Sequence, residues 1–322
     1  NGYKKNIIPN WHDDEIGEEF LTKQVEKIKK SGIKKQFDSI IGLSGGLDSS
    51  YLLHTVVTKF NLKPLVFHVD GGWNTSLAVN NIQMLVEKLG LELYTEVINW
   101  EEMKDLQLAF FKSGVPHLDL PQDHAFVATQ YHFANKYNIK FILNGSNYST
   151  ECVRNPLELF YYGTDMKHIR NIYSKFGNNK LNEYPFSSIL FHKFYLKYFR
   201  GINVIKPLNN FKYIKKEAAK TLEKLYNWIP YPQKHFESRF TRFYEGYWLP
   251  TRFGFDTRKV QYSSLILTGQ MTRKEAINKL KQPPYEEMNI EEEFEYIANK
   301  LDITVKELKK YHQMPLKFYR DY

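Results

Sequence analysis

The run Ser44-Gly45-Gly46-Leu47-Asp48-Ser49-Ser50 constrains this chain more than any other stretch. It follows a short apolar segment, Phe37 to Leu43, and leads into helical periodicity from Ser49 to Phe60, with Leu52, Leu53, Val56 and Val57 on one face. Two glycines between a strand and a helix let the backbone turn tightly and approach oxygens closely. Successive N–H groups can then surround a phosphate, while the following helix offers its positive end. Ser44, Ser49 and Ser50 add hydroxyl donors. Asp48 would be repelled by bare phosphate, so its expected role is to hold magnesium or to organise the loop. The run is not the Gly-x-x-x-x-Gly-Lys-Ser/Thr loop, because the lysine is missing, and it is not Gly-x-Gly-x-x-Gly.

The surrounding pattern gives the loop a setting. Further strands are expected at Leu65–Val69, Leu93–Ile98 and Phe141–Leu143. Helices are expected near 15–30, 76–89 (stopped by Gly90) and 126–137. This alternation predicts an α/β fold with a doubly wound parallel sheet, whose ligands sit outside the carboxyl ends of the strands. Three polar breaks, at 44–49, 70–75 and 144–147, fall at those ends. Beyond about 155 the alternation fades. The stretch 160–200 is aromatic and basic, and helices are expected at 215–227, 270–281, 290–301 and 304–311. The expected division is therefore 1–200, an α/β nucleotide-binding domain with a lead helix, and 201–322, a mainly helical region for substrate or partner.

Composition narrows the partners. The formal net charge of +9 favours a polyanion, either nucleic acid or a triphosphate beside a second phosphorylated substrate. Basic residues form only doublets such as Lys34-Lys35, Lys215-Lys216 and Lys309-Lys310, with no long basic tail. Cys152 is the sole cysteine, which excludes an internal disulfide or a cysteine-rich metal site within these residues and fits a reducing cytoplasm. No apolar stretch approaches a membrane span. The chain opens on Asn1 without a methionine, so its natural start is expected upstream.

The Ser-Gly-Gly-x-Asp-Ser string resembles that of the PP-loop ATP pyrophosphatases, of the adenine-nucleotide alpha-hydrolase-like (HUP) type. That resemblance implies ATP bound at Ser44, Gly45, Gly46, Asp48, Ser49 and Ser50, with cleavage to AMP and pyrophosphate. More of the chain is similar to one branch, the N-acetyl sugar amidotransferases of bacterial surface-polysaccharide and nonulosonic-acid pathways. The likeness runs through Ile41–Leu53, His68–Asn74, Asn144–Asn147, Lys234–Thr241, Gly246–Pro250, Arg252–Asp256 and Ser263–Arg273. It implies conversion of an acetamido group on a nucleotide-linked sugar to an acetamidino group through an adenylated intermediate. It also implies a partner glutaminase resembling the histidine-pathway subunit, sometimes with a cyclase-like subunit. Family members often carry paired cysteines in a small zinc module, and none lies within these residues.

Individual residues carry open alternatives. Asp70 is read either as a second magnesium ligand beside Asp48 or as a turn former before Gly71-Gly72. His68 is expected to frame the adenosine, and Gly145 to let AMP approach closely. Asn147 and Glu151 either contact substrate or metal, or cap the next helix. Asp123 is a helix N-cap or faces the reacting centre with His124, whose imidazole suits proton removal from ammonium near neutral pH. Lys234, Arg239 and Arg252 are expected to grip a diphosphate or sugar carboxylate, against the alternative of a solvated basic face. Trp73 is a ring-closing lid or a packed side chain. Two rival functions remain: a tRNA thiolase or other base-modifying enzyme, disfavoured by the single cysteine, and a non-catalytic nucleotide-binding scaffold. Nucleic acid is the less favoured partner on the same grounds.

Overall fold

The computed structural model describes residues 2–322. Five parallel strands form one sheet: β1 (Ser39–Gly42), β2 (Pro64–Asp70), β3 (Leu93–Val97), β4 (Phe141–Leu143) and β5 (Asn203–Ile205). Their order is β3-β2-β1-β4-β5, with Ser39 opposite Pro64 and Ile40 opposite Ile142. The chain reverses direction of growth between β1 and β4. In an open parallel sheet that switch point leaves a crevice above the carboxyl ends, and both Ser44 and Asn144 lie at its mouth.

Neighbouring strand residues point to opposite faces, and each face has its own core. Ile41, Val66 and Leu143 pack with Leu21, Leu52, Ile82 and Leu222, from helices α1 (Glu15–Ser31), α2 (Leu47–Thr58), α3 (Ser76–Leu89) and α8 (Lys215–Tyr226). Ile40, Leu65 and Ile142 pack on the other side. There they meet α4 (Trp100–Ser113), α5 (Leu120–Lys136) and α7 (Met166–Phe176), together with α9 (Arg239–Phe243), α13 (Ile290–Lys300) and α14 (Val305–Gln313). The short α6 (Tyr148–Glu151), α10 (Leu249–Phe253), α11 (Arg258–Leu267) and α12 (Arg273–Lys279) complete the set. Burial of both sheet faces is why the strands read as apolar runs without alternation.

The doubly wound fold is as expected, and the expected division near 200 falls between α7 and β5. β5 lies beyond it and pairs with β4, and both cores draw side chains from both sides of it. The helix expected from 126 begins at Leu120, so Asp123 lies inside the helix rather than at its cap.

One contact sets the site. Asn74 pairs antiparallel with Ser238, Thr75 N donates to Glu237 O at 3.1 Å, and Arg239 N donates to Trp73 O at 2.8 Å. The segment after β2 thus holds 237–239 like a short strand. Residues 234–237 are thereby carried across the crevice above the loop.

Candidate functional site

The loop is shaped by its glycines. Gly45 has φ of +82°, and a Cβ there would lie 2.8 Å from Ala78 O. Only glycine adopts that turn without strain. Gly46 N donates to Ser44 Oγ at 3.2 Å, and Ser49 Oγ donates to Gly46 O at 3.2 Å, so two of the loop hydroxyls hold it closed on itself. Ser50 faces inward and is fully buried. Gly45 O accepts from Trp228 Nε1 at 3.0 Å and from Tyr231 Oη at 3.2 Å.

A cavity of about 490 Å³ opens above the loop, lined by Gly46, Leu47, Asp48 and Ser49. Helix α2 starts there with Gly46 at its N-cap and no side-chain cap, whereas Thr75 and Asn99 cap α3 and α4. Helix α8 also begins at this cavity, through Ile214, Lys215 and Lys216, with Lys215 N donating to Gln270 Oε1 at 2.8 Å. Two helix N-termini therefore face one space. Lys215, Lys216, Lys234 and Lys279 line the same space. Burial, then the neighbouring Lys234 ammonium, lowers the pKa of Lys215. An anion here would relieve that cost.

Lys234 bridges the loop to the strand-end crevice. Its Nζ donates to Asp48 Oδ2 at 3.1 Å and to Glu151 Oε1 in a shorter contact. Burial opposes its charge, yet the Asp48 and Glu151 carboxylates outweigh burial and raise its pKa. Asp48 is lowered in turn, against burial, by Lys234 and by the Tyr213 hydroxyl, which donates to Oδ1 at 2.5 Å. Gly145 packs on this pair, since a Cβ there would lie 3.3 Å from Asp48 C and Ser49 N.

A second cavity of about 510 Å³ lies beside the first, across Ser44 and Glu237. Leu43, Phe67, Val69 and Phe126 form its apolar wall. Asp119, Asp123, Glu237 and Glu245 supply its acids, His68, His117 and His235 its imidazoles, and no Lys or Arg lines it. Burial, then repulsion from Asp123, raises the pKa of Asp119 well above the carboxylate range. Burial also raises Glu237. A third cavity, of about 360 Å³, is lined by Asn147, Glu151, Arg154, Asn155, Lys206 and Gln261.

His235 lines all three cavities. Its φ of +67° is unusual for a side-chain-bearing residue and marks strain that the surrounding contacts must hold. Its Nδ1 lies 3.1 Å from Glu245 Oε1. Burial opposes the imidazolium, but Glu245 overrides it and pushes the pKa up to about 9.

The expected site residues divide. Ser44, Asp48, Ser49, Gly145 and Lys234 meet at the phosphate cavity, and His68 and Asp123 line the acidic one. Asn147 caps α6, accepting from Thr150 N at 2.8 Å, and also lines the third cavity. Asp70 is not brought to the loop: its Oδ1 accepts from Gly72 N and Asn74 Nδ2 in the turn reading, and it lines none of the three cavities. His124 is buried, with Nδ1 2.7 Å from Gly163 O and Nε2 accepting from Ser187 N, so both ring nitrogens are engaged away from the cavities. Arg239 stacks on Tyr296 and pairs with Glu293 at 3.1 Å. Arg252 donates to the carbonyls of Met314 and Pro315. Neither arginine lines a cavity, because later helices claim both. Trp73 is fully buried against Phe240 and Trp100, and is core. Cys152 is buried.

Lys215, Lys216, Lys279, Tyr213 and Glu237 were not expected at the site. Lys215-Lys216 reads as a surface doublet, and only the missing cap before it hints otherwise.

Among the described residues, no group of three His, Cys, Asp or Glu could hold a metal by itself. Magnesium nevertheless fits the phosphate cavity in the way it is usually bound, through one or two carboxylates plus phosphate oxygens. Asp48 is the protein oxygen donor on the loop, with Glu151 across Lys234.

Residues 237–322 match the family model described as LPS biosynthesis protein WbpG-like, C-terminal domain. No curated protein matches the chain. Among solved structures it is similar to NMN synthetase from Francisella tularensis, at 14 % identity over 94 % of this chain and 98 % of that one, with a TM-score of 0.40. NAD+ synthetase from Burkholderia pseudomallei gives 13 % identity, 90 % and 94 % coverage and a TM-score of 0.39. The U34-tRNA thiolase NcsA from Methanococcus maripaludis gives 12 %, 93 %, 82 % and 0.35. The Ser44–Ser50 loop thus sits at the carboxyl end of β1 in an all-parallel sheet, and residues 237–322 behind it are similar to the WbpG-like C-terminal domain.

Proposed function

We propose that the protein is an ATP-dependent amidotransferase that converts an acetamido group of a nucleotide-linked sugar to an acetamidino group. One observation carries the nucleotide half: two helix N-termini and four lysines converge on the Ser44–Ser49 loop. The WbpG-like match supports a surface-sugar acceptor.

In this reading the triphosphate lies along Gly46–Ser49, facing Lys215, Lys216 and Lys279, with the nucleoside against Leu43, Phe67, His68 and Val69. The acetamido oxygen attacks the α-phosphorus and pyrophosphate departs toward the lysines. Ammonia then adds to the activated carbon, one proton is released, and AMP leaves as a far better leaving group than an amide oxygen. When bound, magnesium would neutralise charge on the departing pyrophosphate. The acidic cavity supports the amine half, since Asp119, Asp123, Glu237 and Glu245 line it without Lys or Arg and their carboxyl oxygens can accept from ammonia or ammonium. Asp123 remains the proposed proton acceptor, with Glu237 next to the loop as its companion; His124 faces the wrong way for that task. His235, charged through Glu245, stands where the three cavities meet and would stabilise negative charge growing on the α-phosphate. Arg154 and Lys206 in the third cavity suit the diphosphate of the acceptor. Ammonia would come from a partner glutaminase resembling the histidine-pathway subunit, with or without a cyclase-like subunit.

The test is mass spectrometry of reactions containing ATP, magnesium, an ammonium salt and a panel of nucleotide sugars. The expected product is lighter than substrate by the difference between O and NH, with AMP formed in equal amount. AMP formed with bulk tRNA and with no sugar would replace this reading by base modification.

A further inference from the structure

The basic, aromatic stretch before β5 belongs to none of the three cavities. Residues Phe191–Phe199 form a π-helical rib with an unusual burial pattern. Of its described side chains, only Leu196 is buried. Leu190 is 70 % exposed, Phe194 56 %, Tyr195 46 %, Tyr198 67 % and Phe199 81 %. The rings form ladders four residues apart: Phe191 on Tyr195 at 5.6 Å, Tyr195 on Phe199 at 5.9 Å, and Phe194 on Tyr198 at 6.1 Å. A contiguous apolar ridge of this kind is not an ordinary scatter of surface hydrophobics.

Its charge is as one-sided as its hydrophobicity. From Tyr184 to Ile205 there is no Asp or Glu, while Lys193, Lys197 and Arg200 are basic. Lys193 and Lys197 are exposed between the rings, with Lys197 Nζ 5.3 Å from the Tyr198 ring centre. At the base of the rib Lys140 Nζ donates to Arg200 O, and Lys35 Nζ donates to Asn138 O nearby in the chain.

We propose that this rib docks the protein peripherally on an anionic phospholipid surface. Phe, Tyr and Leu side chains on a projecting ridge enter the headgroup layer, and lysines beside them keep their ammonium groups at the phosphates. The rib is far too short to cross a bilayer, and no described helix is long and apolar enough to do so. A bilayer accepts a convex ridge without a complementary groove, and the absence of any carboxylate along it matches an anionic surface.

The test is sedimentation of the intact protein with phosphatidylglycerol-containing vesicles and with pure phosphatidylcholine vesicles, at low and high salt. Expected is salt-sensitive binding to the anionic vesicles only. The F194S/Y198S/F199S variant should bind at least about tenfold more weakly. K193E/K197E should lose about tenfold as well and flatten the salt dependence. Both variants should keep wild-type ATP affinity and melting temperature, which shows that they fold. Equal binding to neutral vesicles, no binding at all, or binding untouched by the triple variant would overturn the proposal. A concentration-dependent oligomer that the triple variant abolishes, with no vesicle binding in the wild type, would assign the rib to self-association instead.

Discussion

The two cavities that share Ser44, His235 and Glu237 are nearly equal in size and differ in their charged side chains. One brings four lysines and two helix N-termini to Asp48, Glu151 and Glu237, while the other has Asp119, Asp123, Glu237 and Glu245 with no Lys or Arg and His235 as its imidazolium. A single wall separates them, built from the loop and from residues 235–237. In the proposed reaction one site has to hold a polyphosphate and also recruit ammonium, and a single potential would repel one of the two. The proposed α-phosphate would then lie at the boundary between the cavities. The C-terminal region makes this possible by sending Lys234, His235 and Glu237 across the crevice.

The strongest way to break this contrast is to neutralise its pivot. Asp48→Asn keeps the shape of the side chain but removes the charge that Lys234 and Tyr213 serve. AMP formation should fall by at least about a hundredfold, while ATP binding measured by calorimetry persists or tightens. Full activity in this variant would remove the loop from the reaction.

Lys215→Ala tests the basic side with two readouts of opposite sign. A hydrogen bond to a charged group contributes about 1.5–3 kcal/mol, so ATP affinity should drop roughly tenfold to a hundredfold. The ligand-free protein should melt no lower, because a half-buried ammonium whose pKa burial lowers is not a stabilising feature before the anion arrives. A variant that melts lower but binds ATP normally would make Lys215 structural.

The wall itself is probed by pH. The folded-state pKa of His235 is raised to about 9 from the ordinary imidazole value of 6.5. Its contribution to stability is therefore complete below about 6.5 and is lost as pH rises through about 9. Activity that needs the imidazolium should fail over the same upper limb. Glu245→Gln should move both transitions to lower pH, and NMR titration of the ring would report the shift directly. An unchanged profile would separate His235 from the reaction.

How far these features could be read in advance depended on whether their cause was local. β1, β2 and β4 were legible because burial makes each an apolar run ending in polar residues, and β3, a half-exposed edge strand, was legible from its apolar and β-branched residues after Gly90. β5 was not: it is three residues long, and Asn203 and Val204 are exposed. Helix α4 escaped because it is buried nearly all round, with Met103, Leu106, Ala109, Phe110 and Phe111 at 0 % exposure, which erases the helical period. Its cap at Asn99 and its left-handed stop at Gly114 were the surviving signals. The loop was legible because its chemistry is contiguous. Lys215, Lys279 and Glu237 were not, since a lysine in a doublet looks the same on a solvated face and on a phosphate wall.

Arg252 gives the smallest and most discriminating test, because resemblance and geometry assign it differently. Resemblance implies a diphosphate or carboxylate partner. The structure instead spends its guanidinium on the end of α14, donating to Met314 O at 2.8 Å, Pro315 O at 3.2 Å and, more closely, His312 O. Those are carbonyls that a helix leaves without partners at its C-terminus. Arg252→Ala should cost about 1–3 kcal/mol of stability, read as a lower melting temperature, with KM for ATP and for the sugar unchanged. Arg252→Lys should recover only part of the loss, because one ammonium cannot reach a planar fan of carbonyls as a guanidinium does. A raised acceptor KM at an unchanged melting temperature would return Arg252 to the substrate. It would also require the acceptor to extend beyond the three cavities, to the far side of α10.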